Sequence, residues 1–180
     1  MAIVKDPLLL RCVRGSLGDE ITIYERNGQI IMAKKRGPSK NKPTPKQLEA
    51  RYKLKIAAAY AREILLDPAV KAFYKSKAGP GQNAYNMAVK DAYHSPEIQN
   101  ITLEDMTVTV RATDAFRVEH VEVDVKDAAG KRVGSGRAQL QWNGVDWKYT
   151  VATLPVNGKI VVRAVNMPGN ETVRELPLPG

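Results

Sequence analysis

The chain predicts an α+β fold, with a basic β-hairpin and about three helices in residues 1–97 and an antiparallel β-sandwich in residues 98–180. Three observations lead to this reading. The apolar period changes from about 3.6 residues to about 2 near Glu97. Paired cap-and-proline signals for helix starts occur before that point, and turn residues at short intervals follow it. The charge divides at nearly the same place: residues 1–100 hold 18 Lys and Arg against 9 Asp and Glu, whereas 101–180 hold 10 of each sign. The net charge of +9 therefore belongs to the first half.

Residues 1–12 read as an extended arm or edge strand. Lys5, Asp6 and Pro7 leave only Leu8–Leu10 as an apolar run, too short for a signal-peptide core. Ile21–Tyr24 and Ile30–Ala33 flank Arg26-Asn27-Gly28-Gln29, where Asn-Gly supplies the two positive-φ positions of a type I′ turn. That register sets Ile23 against Met32 and Ile21 against Lys34, giving one mainly apolar face. Gly15 and Gly18 read as turn residues. After the basic linker Gly37–Pro43, Thr44 is a helix cap, Pro45 takes the first helical position and Gln47 completes a capping box. The stripe Leu48, Tyr52, Ile56, Ala59, Tyr60 and Ile64 predicts an amphipathic helix to about Leu66 that buries these residues, both tyrosines included. Asp67-Pro68 starts a shorter helix through Val70, Phe73 and Tyr74, broken by Gly79-Pro80-Gly81. Asn83 caps a third helix carrying Tyr85, Val89 and Ala92 and ending before His94-Ser95-Pro96.

Beyond Glu97, Val108, Val110 and Ala112 form one inward set, and Val121, Val123 and Val125 form another. Lys131–Gln141 reads as a weaker strand, and Trp147, Tyr149 and Val151 face inward. Ile160-Val161-Val162 is apolar on both faces, as a central strand should be. The turn Met167–Asn170 leads to a last strand, Thr172–Leu176. Six or seven short strands with regular turns favour a sandwich.

The runs Val110–Asp114, Val121–Gly130, Trp147–Thr150 and Ile160–Asn170 together resemble a bacterial immunoglobulin-like domain over roughly residues 98–178. That resemblance implies an adhesive or spacer module without catalysis. Such domains often carry Asp where this chain has Asn166, so the acidic corner they imply is weakened here. The whole chain resembles small bacterial proteins that join a hairpin, a helical segment with an Ala84-Tyr85-Asn86 signature and such a sandwich. No activity is assigned to that group, so the likeness transfers a fold and no site residues.

Catalytic constellations are sparse. His94 and His120 lie in different predicted units, and neither Gly-x-Ser-x-Gly nor His-Glu-x-x-His occurs. The single cysteine, Cys12, cannot form an internal disulfide. It reads as a small packed hydrophobe, although Arg11 and Arg14 would lower its pKa if all three were exposed. Gly79-Pro80-Gly81 reads as a helix–helix turn rather than an anion site, because no strand precedes it. Asp105, Asp114 and Asp127 read as turn formers, being too widely spaced for a dense calcium site. No catalytic residue, cofactor or metal ligand is expected.

The basic window exceeds this background. Lys34, Lys35, Arg36, Lys40, Lys42, Lys46, Arg51, Lys53 and Lys55 face a single acid, Glu49. Clustered cations are the usual footprint of an anionic partner. The expected function is a non-enzymatic interaction or assembly protein whose basic head contacts an acidic macromolecule, with the sandwich as a rigid module. The alternative is sequence-nonspecific nucleic-acid binding through Lys34–Lys55, and a plain solvated face is a third reading. A homo-oligomer is compatible with the small core of the head. No apolar run approaches the roughly 18 residues of a membrane span, so no membrane contact is expected. The lone thiol and missing export signal point to a cytoplasmic or virion-associated setting.

Overall fold

The computed structural model describes residues 2–3, 13–26, 28–35, 37 and 41–179. Arg11, Cys12, Asn27, Arg36 and Lys40, singled out above, lie outside the described residues.

The hairpin belongs to a four-stranded sheet. Its members are β1 (Ala2–Ile3), β2 (Gly15–Leu17), β3 (Ile21–Arg26) and β4 (Gln29–Lys34), in the order β1-β4-β3-β2. The register pairs Ile23 with Met32, Ile21 with Lys34 and Arg26 with Gln29. Gly28 adopts a φ of 74°, which a two-residue hairpin turn requires. Two expectations need revision. Gly15 is a strand residue opposite Ile23 rather than turn material. Ile23 and Ile31 are both buried, and the pairing of Tyr24 with Ile31 puts them on opposite faces, so burial is not confined to one face.

The helices start where their caps dictate. In α1 (Pro45–Ile64) the Gln47 N–H donates to Thr44 Oγ1 at 3.3 Å, and the Thr44 N–H donates to Gln47 Oε1 at 3.0 Å. Asp67 caps α2 (Pro68–Ser76) by accepting the Ala69 N–H, and Asn83 caps α3 (Ala84–Tyr93) by accepting the Asn86 N–H. The stripe predicted for α1 is the main correction. Ala57 and Ala61 are its buried residues, while Leu48, Tyr52 and Ile56 are 52%, 67% and 53% exposed. Ala59 is exposed too, and Tyr60 and Ile64 are half-buried. Small side chains let α1 approach α3 closely, and close packing of a helix pair selects whichever face fits. The larger apolar row is left outside.

The remaining strands are β5 (Glu97–Glu104), β6 (Thr107–Thr113), β7 (Val118–Lys126), β8 (Arg132–Arg137), β9 (Gln139–Leu140), β10 (Asp146–Thr150), β11 (Lys159–Asn166) and β12 (Glu171–Pro177). They form two antiparallel sheets, β5-β6-β10-β9 and β12-β11-β7-β8. Taken as strands A, B, C, C′, D, E, F and G, these read A-B-E-D and G-F-C-C′, the immunoglobulin-like arrangement. Val108, Val110, Val121, Val123, Val125, Ile160 and Val162 are fully buried between the sheets, joined by Trp147. Val161, on the other face of β11, is buried as well, as expected of a central strand. Tyr149 is only half-buried. Along the seam where β12 approaches β5, Thr172 Oγ1 donates to the Pro96 carbonyl and Arg174 Nη1 donates to those of Ile98 and Gln99.

The helices do not close their own core. Ala61, Tyr74, Met87 and Ala88 cluster with Phe116 and Met167 from the sandwich, and Phe116 meets the Tyr74 ring edge-on at 5.7 Å. The last carbonyls of a helix lack intrahelical donors. Here the β11–β12 turn supplies them. Asn166 Nδ2 donates to the His94 carbonyl at 3.0 Å, and Asn170 Nδ2 donates to those of Ala92 and His94 at 3.1 and 3.0 Å. Asn166 Oδ1 in turn accepts the Asn170 backbone N–H at 2.8 Å, which fixes the orientation of the Asn166 amide. Replacing Asn166 with Ala leaves the Asn170 N–H without its acceptor and the His94 carbonyl with Asn170 alone, and is expected to cost about 1–3 kcal/mol. An unchanged urea midpoint would show that the clasp carries no stability.

Candidate functional site

The basic window divides into a loop part and a helix part. Lys34 ends β4 and is exposed, and Lys35 Nζ pairs with Asp19 at 2.8 Å. Lys42 is exposed ahead of α1. Lys46, Arg51, Lys53 and Lys55 are all exposed on α1. Arg51 and Lys55, four apart, share one flank of that helix, and Lys46 and Lys53, seven apart, share the other. Between the flanks, on the side away from the buried alanines, runs the exposed row Leu48, Tyr52 and Ile56. Lys46, Arg51 and Lys55 form no ion pair among the described residues.

One of these cations, Arg51, borders a groove that the sequence did not single out. Ala61 clusters with Met87 and Ala88, while Ala50 and Leu54 share a groove with Val89, Tyr93 and His94, so α1 and α3 run antiparallel. Past Ala57 the alanine contacts give out and a groove of about 400 Å³ opens. Its floor is Leu54, Val89 and Tyr93; Arg51, Lys90 and His94 stand at its rim, and no carboxylate lines it. Lys53 Nζ sits 4.8 Å above the Tyr93 ring, and His94 meets that ring edge-on at 5.3 Å. In the sequence, Val89 and Tyr93 fall four apart on a cap-defined helix. That spacing gives no sign that the partner helix falls short of covering them.

The groups with catalytic-looking chemistry are engaged in structure. Asp91 is 1% exposed; its Oδ2 accepts the Tyr74 hydroxyl at 2.6 Å, and the Tyr60 hydroxyl lies 3.3 Å from that of Tyr74. Burial, with a smaller push from Asp114, raises the Asp91 carboxyl to about 6 against the hydrogen bond from Tyr74. Burial and the Asp91 hydrogen bond raise the Tyr74 phenol in turn. Asp114 accepts the Phe116 N–H and Asp127 accepts the Lys131 N–H, so both serve their turns, while Asp105 takes a positive φ of 44° between β5 and β6. The Gly79 N–H is taken by Gln82 Oε1. His120 lies 3.7 Å from Glu122 on the face of β7. A cavity of about 440 Å³ at one end of the sandwich includes Asp114, Phe116, Arg117, Glu119 and Trp147. Arg117 and Glu119 there pair with each other. Among the described residues no group of three or more His, Cys, Asp or Glu is placed to hold a metal, and no helix is long and apolar enough to cross a membrane.

Neither a protein-family model nor a curated protein matches the chain. Among solved structures, CopC from Methylosinus trichosporium OB3b is 20% identical over 40% of this chain and 72% of its own, with a TM-score of 0.34. A family 56 carbohydrate-binding module, a β-1,3-glucan binding domain, is 15% identical over 46% of this chain and 99% of its own, with a TM-score of 0.34. An engineered protein is 13% identical over 56% of this chain and 30% of its own, with a TM-score of 0.35. Likenesses of this strength carry no argument about function.

The Asp91 carboxyl makes a pH prediction. Its folded value, about 6, lies above the ordinary 3.8, so between these values the native state holds more protons than the unfolded chain. The stability it contributes is full below 3.8 and is lost as pH rises through about 6. Asp91→Asn should remove this dependence. Thermal melts of both proteins from pH 4 to pH 7 should show Asp91→Asn gaining on the native chain as pH rises; a constant difference would refute the assignment.

Proposed function

We propose that the chain is a non-enzymatic binding module whose basic helical head docks on an acidic protein surface, with the sandwich as its rigid support. The observation that carries this reading is the outer side of α1. There an unburied apolar row is bordered on both flanks by cations that have no acidic partner of their own among the described residues. Apolar centres inside a charged rim are the anatomy of protein interfaces. Nucleic acid would call instead for free aromatic faces along a cationic track. Tyr93 is covered by Lys53, which leaves the exposed Tyr52 as a single free aromatic face beside the α1 cations, where a stacking track calls for several.

Fluorescence anisotropy separates the two readings. Labelled poly-glutamate is expected to bind, weakening as salt rises from ~50 to ~300 mM, and replacing Lys46, Arg51, Lys53 and Lys55 with Gln should weaken it roughly tenfold or more. Binding of DNA or RNA with a steep logarithmic salt slope, and none of poly-glutamate, would overturn the protein-partner reading in favour of nucleic acid.

A further inference from the structure

Between α1 and α3 the molecule combines an apolar floor, a cationic rim and no carboxylate in one open groove. Leu54, on the floor, remains half exposed, so the groove is shallow. A drug-sized ligand typically buries about 70–90% of its surface in its site, which a shallow groove does not provide. A longer occupant that continues past both ends gains contact along the helices. The rim selects negative charge, since Arg51 is unpaired and Lys90 has only the Phe116 ring, 6.0 Å away, as a described partner.

The groove also decides the occupant's backbone. Its walls are two helices whose own peptide groups are satisfied internally, so it offers no sheet edge to an extended peptide. A helix brings its own backbone hydrogen bonds with it and so needs none from these walls. A second copy of this chain does not supply a suitable one. Helix α1 carries five cations against Glu49 and Glu63, α2 carries Lys71 and Lys75 with no acid, and the acid of α3, Asp91, is buried. Nor is this a stacking platform for bases: two floor residues are aliphatic, and Tyr93 is occupied by Lys53.

We propose that the α1–α3 groove seats an acidic amphipathic helix of a partner protein, with its apolar side chains on Leu54 and Val89 and its carboxylates on Arg51 and Lys90. This rests on the reading that the head binds an acidic protein, and it adds where and in what conformation. Helix-in-groove recognition reads anchors at i, i+3, i+4 and i+7.

The test uses the full chain and two labelled peptides of about 18 residues, built from Leu and Glu in identical proportion. One aligns its leucines at that helical spacing; the other scatters them. The aligned peptide is expected to bind at least tenfold tighter, and Leu54→Asp should remove roughly that advantage, since loss of a central anchor commonly costs this much. The Arg51→Glu, Lys90→Glu double variant should reject the aligned peptide and accept its Lys-for-Glu counterpart. That gain of binding would be seen only if the variant folds. Equal binding of both peptides, or indifference to Leu54→Asp, overturns the groove while leaving the acidic-partner reading in place. If neither peptide nor poly-glutamate binds, that reading falls as well.

Discussion

The cap on the end of α3 is the contact on which the arrangement of the molecule depends. A helix end facing another part of the protein must have its carbonyls satisfied. Here two asparagine amides from one turn of the sandwich do this, and that of Asn166 is held in place by the Asn170 backbone N–H. The same turn sends Met167 into the helical core. Position and orientation of α3 are thus set by the sandwich, and α1 and α2 are placed by packing against α3. The groove and the cationic flanks inherit their geometry from that chain of contacts.

A buried amide also explains why Asn rather than Asp suits position 166. Its Nδ2 donates to carbonyls and comes within 3.5 Å of Asp114 Oδ2. A carboxylate there would have no proton to give and would add a second negative charge beside Asp114, next to an Asp91 carboxyl that burial has already pushed up to about 6. The corner works as a clasp for a helix, and an acidic group would oppose that.

Much of the architecture was legible in the sequence because it is enforced locally. Thr44, Asp67 and Asn83 begin their helices as written, since a cap acts within three residues. The inward sets of β6, β7 and β11 follow from a period of two with one buried face. Burial on α1 was misread because an apolar stripe reports which face is able to be buried, whereas two alanines on the other face let α3 come nearer. Gly15–Leu17 pairs as an edge strand with only three residues and no alternation to betray it. The candidate cations were visible by composition. The groove was not, because a concavity arises from where two helices stop touching, and no single segment encodes that. Asn170 is legible as part of a turn and Asn166 as a corner residue, but the carbonyls they cap lie more than 70 positions earlier.

The seam between β12 and β5 bears on self-association. Outer strands of a sandwich carry unspent backbone acceptors and invite a foreign strand to add to the sheet. In this molecule Thr172 and Arg174 have claimed the carbonyls of Pro96, Ile98 and Gln99 with side chains. On the opposite border, β8 displays Arg132 and Arg137, which pair with Asp124 and Glu122 of β7 and keep that edge charged. One border is thus occupied by side chains and the other is charged, two of the devices by which a sandwich discourages a foreign strand from adding to it.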